Sequence, residues 1–189
     1  MNASGVALVV RRIAAGDEAA FPDPTEPLGR RRASGAARLA AREALASLGG
    51  PADAPLPRSP GRFPLWPPGF VGSLAHDETL AVAACARAAD FAALGVDVEP
   101  AEPLPEEVAE IALFGPELRD AALGRAIFCA KEAVYKAINP LDGSPLEYED
   151  IAVDLAAGRA RLRDGRTLML EWSAGEHIVV AAWLPARQV

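Results

Sequence analysis

The sequence predicts an α+β fold, with helices and antiparallel strands segregated along the chain, and three observations lead to it. Short apolar runs, alternating or continuous, mark strands near both ends and in the middle, while two longer stretches repeat apolar residues every three or four positions as helices do. The segment Glu78-Thr79-Leu80-Ala81-Val82-Ala83-Ala84-Cys85 is echoed at an offset of 98 by Glu176-His177-Ile178-Val179-Val180-Ala181-Ala182-Trp183. A duplicated unit of helices on a sheet would produce that echo, and so would the general likeness of Ala-rich strands. Finally, 189 residues that are 51% hydrophobic and 24% charged can bury a core without a disulfide or metal staple, as one domain or two small lobes.

The elements follow in order. Residues 5–13 read as a strand, and the Pro/Asp/Glu stretch 17–27 as an exposed loop. Residues 30–48 form a helix, with Ala37, Ala40, Ala41, Ala44, Leu45 and Leu48 on one face and Gly49-Gly50 as its stop. Seven prolines between 49 and 69 forbid a central strand or helix, which leaves an ordered surface loop. Strands follow at 70–75, 79–86 and 94–99, with a hairpin connection expected between the last two. A helical region starts near Pro105, and a longer helix runs over 116–138, closed by Asn139-Pro140. Residues 151–155, 159–162, 167–172 and 177–184 read as short strands.

Composition excludes several classes of function. A net charge of −7 argues against nucleic-acid binding, which needs a basic face for its phosphate contacts. The two cysteines, Cys85 and Cys129, make neither a disulfide framework nor a zinc site, so a reducing, cytoplasmic setting is expected. The opening apolar run lacks a preceding basic region and meets arginines at once, so it fails as a signal peptide, and no run is long enough to span a membrane. Glycine-rich nucleotide fingerprints, phosphate loops, HExxH and GxSxG are all absent from the sequence.

Four groups of residues could carry chemistry. In the strand Leu94-Gly95-Val96-Asp97-Val98-Glu99, alternation puts both acids on one face. That is either half of a hard-cation site, best suited to Mg2+ with a substrate phosphate, or an acidic edge strand. In the helix segment Lys131-Glu132-Ala133-Val134-Tyr135-Lys136, Glu132 and Lys136 share a face, with Lys131 about a third of a turn round. These are surface ion pairs or, combined with the strand acids, the completion of a site for a metal-bound diphosphate. His76 ends the run Gly72-Ser73-Leu74-Ala75, where its ring could meet a phosphate or serve structure, whereas His177 has only a structural context. Arg30, Arg31, Arg32, Arg38, Arg42, Arg58 and Arg62 form a local basic concentration, some of it a solvated helix face.

In this order the motifs resemble those of the 4′-phosphopantetheinyl transferases, in particular the Sfp-type group and its enterobactin-synthase-component-D-like branch. The matching residues are Arg38-Leu39-Ala40-Ala41-Arg42, then Arg62-Phe63-Pro64-Leu65-Trp66-Pro67-Pro68-Gly69 running into Gly72-Ser73-Leu74-Ala75-His76, then Gly95-Val96-Asp97-Val98-Glu99. Phe128 with Lys131-Glu132-Ala133 and Tyr135-Lys136 follows, and Leu146-Glu147-Tyr148-Glu149-Asp150-Ile151 closes the series. The resemblance implies a pseudo-twofold α+β monomer of two lobes, residues 1–91 binding coenzyme A and residues 92–189 carrying the metal and catalytic groups, with the site in the cleft between them. It implies Mg2+ on Asp97, Glu99 and Glu132, with coenzyme A as donor. The acceptor is a serine of an acyl or peptidyl carrier protein, and adenosine 3′,5′-bisphosphate is released. It places Lys136 on the diphosphate with Lys131 beside it, and Arg30, Arg38, Arg58 and His76 at the 3′-phosphate end. The base is either Glu132 or a water on the metal. Ala33-Ser34, Ala37, Ala75 and Asp77 depart from the family's pattern. They predict weaker coenzyme A binding with the chemistry retained, or, as the alternative, a binding homologue without turnover.

Overall fold

Alternating side chains at the start of the chain build β1 (Val6–Arg12), which pairs antiparallel with β3 (Leu80–Arg87), and β3 pairs on its other edge with β2 (Phe70–His76). A second antiparallel sheet contains β4 (Phe91–Pro100), β5 (Ile151–Asp154), β6 (Arg159–Leu162), β7 (Thr167–Ala174) and β8 (His177–Pro185). The strand orders are β1-β3-β2 and β4-β8-β7-β6-β5. The computed structural model describes residues 5–119, 121–143 and 145–186.

In each sheet the last strand lies between the first and the penultimate one, so β3 and β8, which carry the internal echo, hold equivalent places. The echo positions Thr79 and His177 even meet, Thr79 Oγ1 lying 3.1 Å from His177 Nε2. Topology therefore favours duplication over chance likeness of strands. The hairpin expected between β3 and β4 does not form. Both edges of β3 are already paired, and β4 crosses to the second sheet to pair with β8.

Side-chain alternation stacks these parts in four layers. Val82, Ala84 and Ala86 of β3 meet Leu94, Val96 and Val98 of β4 between the sheets. The opposite face of β3, with Ala83 and Cys85, is covered by Ala40, Ala41, Ala44 and Leu45 of α1 (Leu28–Ser47). The outer face of the second sheet, with Leu168, Val180 and Ala182, is covered by Ala130, Ala133, Val134 and Ala137 of α3 (Gly124–Asp142). Alanine on both partners lets helix backbones lie close to strands, at the cost of little side-chain entropy.

Helix α1 ends where Gly49-Gly50 predicts. Gly49 takes φ +72°, and the N–H groups of Gly49 and Gly50 donate to the carbonyls of Ala46 and Leu45, the left-handed stop that glycine makes cheap. Helix α2 (Glu106–Ala112) follows Pro105. The long helix differs from expectation at both ends. Gly115–Arg119 and Ala121–Leu123 are short 3-10 turns, and α3 begins at Gly124. At the other end α3 runs through Pro140 to Gly143, whose N–H donates to Asn139 O in a left-handed cap. Pro140 stands in the final turn, where a missing N–H removes a single ladder bond. The proline loop is ordered, folded back on itself by Ser59 N to Phe63 O and Leu65 N to Pro57 O bonds.

Candidate active site between strand β4 and helix α3

Gly95 brings the site together. A Cβ on it would stand 1.9 Å from Ala133 O and 2.7 Å from Ala137 N, so only glycine lets α3 lie flat on β4. The helix crosses this strand in the opposite sense. Asp97 therefore meets Lys136, and Glu99, two residues further along, meets Arg125 near the helix start. Val96 and Val98 point into the core between the sheets while Asp97 and Glu99 face α3, as alternation demands.

Each of the three expected metal acids has a partner of its own. Lys136 Nζ donates to Asp97 Oδ1 at 2.5 Å, Arg125 Nη1 to Glu99 Oε2 at 2.9 Å, and Tyr148 Oη to Glu132 Oε1 at 2.5 Å. Among the described residues no three metal-binding side chains already converge as a cage. The donor set nevertheless suits a hard cation. Asp97 is 5% exposed, and its Oδ2 is buried with no hydrogen-bond partner. Such an orphaned carboxylate oxygen costs free energy until a donor or cation reaches it. Burial and the charge of Asp97 push the Glu99 carboxyl above its ordinary value despite Arg125, so another positive charge is welcome here. Burial alone would lower the pKa of Lys136, but its ion pair with Asp97 outweighs that and raises it, so its ammonium stays charged.

Lys131, expected beside the diphosphate, makes contacts of its own. It is wholly buried. Its ammonium pairs with Glu117 Oε2 at 2.7 Å and donates to Tyr148 O at 3.0 Å. Glu117 in turn accepts from the N–H groups of Phe114 and Val153. Lys131 thereby ties the 3-10 turn at 115–119 to α3 and to the segment that carries Tyr148.

The basic residues divide in the same way. Arg58 Nη1 and Arg62 Nη2 donate to Glu26 Oε1 at 2.9 and 3.2 Å, and Arg30 Nε lies 3.9 Å from Glu26 Oε2. Three guanidinium groups around one carboxylate leave a net positive, largely solvent-reachable cluster. Arg38, expected on coenzyme A, is 6% exposed. It donates to Leu56 O and Ser34 O under the Phe21 ring and pins α1 to the proline loop. Burial first, then the charges of Arg58 and Arg42, lower its pKa to about 10. His76 ends β2 with its side chain at the surface. Crowding, then the charges of Lys136 and Arg30, hold its pKa below the usual value, so those three groups share one positive field. Asp77, the next residue, acts on His76 in the opposite sense. Its carboxylate accepts from the N–H groups of Thr79 and Leu80 at 2.6 and 2.7 Å and lies 2.9 Å from His177 Nε2. Asp77 thus fastens its own turn, and the hydrogen bond across the sheets here is the one between Thr79 Oγ1 and His177 Nε2.

A cleft of about 520 Å3 opens beside Lys136, lined by Phe63, Trp66, Phe70, Leu94 and Tyr135 among others. Gly72 is obligatory on its wall, since a Cβ there would meet the Trp66 ring at 2.5 Å. A smaller cavity of about 240 Å3 is bordered by Glu132, Tyr135, Tyr148 and Ile151. Sequence reasoning missed two residues of the site. Arg125 lies seven positions before Glu132, on the same helix face, and that periodicity was sufficient to find it. Tyr148 sits inside a quoted motif, but nothing local tells that its hydroxyl reaches Glu132.

Residues 27–86 match the family model of the 4′-phosphopantetheinyl transferase N-terminal domain, and residues 93–185 that of the 4′-phosphopantetheinyl transferase superfamily. The chain is 40% identical over 170 residues to the 4′-phosphopantetheinyl transferase Svp of Streptomyces mobaraensis, covering 77% of this chain and 68% of the relative. It is 40% identical over 145 residues to the 4′-phosphopantetheinyl transferase Npt of Nocardia iowensis, covering 72% and 65%. With the 4′-phosphopantetheinyl transferase PptT of Mycobacterium tuberculosis the identity is 40% over 121 residues, covering 60% and 53%. The chain thus spans about two thirds of the length of the first two relatives and about half of the third. Two family models in succession and a relative matched over two thirds of its length bear out the resemblance of the motifs at the level of the superfamily: the chain belongs to the 4′-phosphopantetheinyl transferases, a family of enzymes.

Proposed function

We propose that the protein moves the 4′-phosphopantetheine group of coenzyme A to a serine of an acyl or peptidyl carrier protein. The observation that carries this reading is the buried, unpartnered Oδ2 of Asp97 beside the Lys136 ammonium, an anion-and-cation pair suited to a metal-bound diphosphate. In this reading residues 1–91 hold the adenosine and 3′-phosphate end of the donor through Arg30, Arg58 and His76, residues 92–189 hold the reacting groups, and the protein acts as a cytoplasmic monomer. Asp97, Glu99 and Glu132 would hold a divalent cation, Mg2+ by their hard oxygen donors, which supplies neutralisation of the diphosphate charge.

The chain's own groups then have separate tasks. Lys136 exchanges Asp97 for a diphosphate oxygen and neutralises charge on the leaving group. Phe63, Trp66 and Tyr135 give the uncharged pantetheine arm an apolar wall and keep water from the reacting phosphorus. Glu132, held by the Tyr148 hydroxyl, takes the serine proton as the serine oxygen bonds to phosphorus. The bond from that phosphorus to the bridging oxygen breaks, and adenosine 3′,5′-bisphosphate leaves with the electron pair.

Intact-mass spectrometry of an apo carrier protein incubated with the enzyme, coenzyme A and Mg2+ tests the proposal. A gain of roughly 340 Da, lost with EDTA and with Glu132→Ala, is the expected result for metal-assisted transfer of one phosphopantetheine. No gain on several carrier types, with coenzyme A binding retained, would overturn it.

A further inference from the structure

Arg125 does not behave like the other cations of the site. Lys136 is a single flexible ammonium on one carboxylate, free to swing to a phosphate. Arg125 is a planar fork fixed at three points: Nη1 to Glu99 Oε2 at 2.9 Å, Nε to Glu102 O at 3.1 Å and Nη2 to Pro103 O at 2.9 Å. Its side chain is 14% exposed and that of Glu99 23%, so water screens the pair only partly. A guanidinium anchored to two carbonyls cannot leave when ligands arrive, and it cannot lose its proton. Its charge is a permanent part of the site.

The count of charges gives this a consequence. Asp97, Glu99 and Glu132 bring three negative charges, and Lys136 and Arg125 return two positive ones. One net negative charge is a poor trap for a free divalent cation. When a diphosphate enters it adds at least two negative charges and draws Lys136 away from Asp97, and the same acids then hold the cation firmly. We infer that Arg125 is an internal counter-ion of the metal site, a positioning residue that keeps Glu99 neutralised so that the cation is held firmly only together with its diphosphate. The inference rests on the reading of Asp97, Glu99 and Glu132 as metal ligands.

Mn2+ binding to the full chain, read by electron paramagnetic resonance, tests it without turnover. Wild type, Arg125→Lys and Arg125→Gln are each titrated with and without coenzyme A. Wild type and Arg125→Lys, which keeps the charge, are expected to bind Mn2+ weakly alone and tightly with coenzyme A. Arg125→Gln removes a unit charge close to the cation and is expected to bind Mn2+ alone roughly tenfold tighter, with a smaller effect of coenzyme A. A residue that only ties the 102–103 segment to α3 would show the reverse, weaker binding as the site loosens. Circular dichroism checks that each variant is folded, and Arg125→Met serves as the neutral variant if the glutamine one is unstable. Unchanged or weaker Mn2+ affinity in a folded neutral variant, with wild type still binding in the presence of coenzyme A, overturns the counter-ion role alone. Absence of Mn2+ binding to wild type even with coenzyme A overturns the metal reading and this inference with it.

Discussion

Gly95→Ala replaces a hydrogen by a methyl at the point where the α3 backbone touches β4. Elsewhere in a strand this change removes the entropic cost of glycine and stabilises by about 0.5–1 kcal/mol. Here the new Cβ would lie 1.9 Å from Ala133 O and 2.7 Å from Ala137 N, where ordinary contact begins near 3.4 Å. Helix α3 must therefore withdraw by about 1.5 Å, because both atoms are backbone and neither can turn aside. Overpacking of this kind costs about 1–3 kcal/mol or more and exceeds the propensity gain. The same retreat lifts Lys136 from Asp97, and Glu132 and Arg125 ride on the same helix. Misplacement of catalytic groups by about 1 Å lowers a rate on the order of 100-fold. Urea unfolding gives the first quantity and the carrier mass assay the second. Gly175→Ala, where nothing lies within 4 Å of the added methyl, is the control and is expected to be neutral in both. If Gly95→Ala matches that control in stability and rate, the argument that glycine sets the helix height is wrong.

Three further outcomes follow from the same geometry. Lys131→Met strands the buried Glu117 carboxylate and is expected to cost about 3–5 kcal/mol, and adding Glu117→Gln should recover only part of it, because the amide removes the stranded charge but sets its NH2 group against the N–H of Phe114 or Val153; a Lys131→Met variant as stable in urea as wild type would refute the buried pair. Burial tends to raise the pKa of Asp77, but the N–H groups of Leu80 and Thr79 outweigh it and hold it below its ordinary 3.8. Its stabilising effect is therefore complete above that value and fades as pH falls through the lower folded-state value, so the stability gap between wild type and Asp77→Asn should close only below about pH 4; a constant gap down to acid unfolding would count against this. Crowding, then the charges of Lys136 and Arg30, lower the pKa of His76. A bound phosphate reverses that field, so coenzyme A binding near neutral pH should take up a proton, seen as a buffer-dependent calorimetric heat that disappears in His76→Ala.

Local patterns in the chain were sufficient for most elements. The α1 stop at Gly49-Gly50, the four closing strands and the acid face of β4 all follow from side-chain periods of 3.6 and 2, which any short window of sequence displays. The pairing of strands is not written locally. Leu94 to Glu99 gives no sign that its partner is β8, some eighty residues away, and not the adjacent β3, because ladder partners are selected by which edges remain open after the sheets assemble. The long helix was misjudged at its start because Glu117, a good helix residue, is drawn out of the helical path by Lys131 and two backbone donors.

The same division runs through the candidate site. Sequence by itself determined the motifs, the shared face of Asp97 and Glu99, the shared face of Glu132 and Lys136, and the family. Tertiary structure alone decided how each charged residue is buried and partnered. Lys131 and Lys136 are chemically identical, yet one is sealed on Glu117 while the other stands at the cleft. A side chain's residue type sets its charge, but desolvation and its partners set whether that charge is free, and both depend on residues distant in the chain.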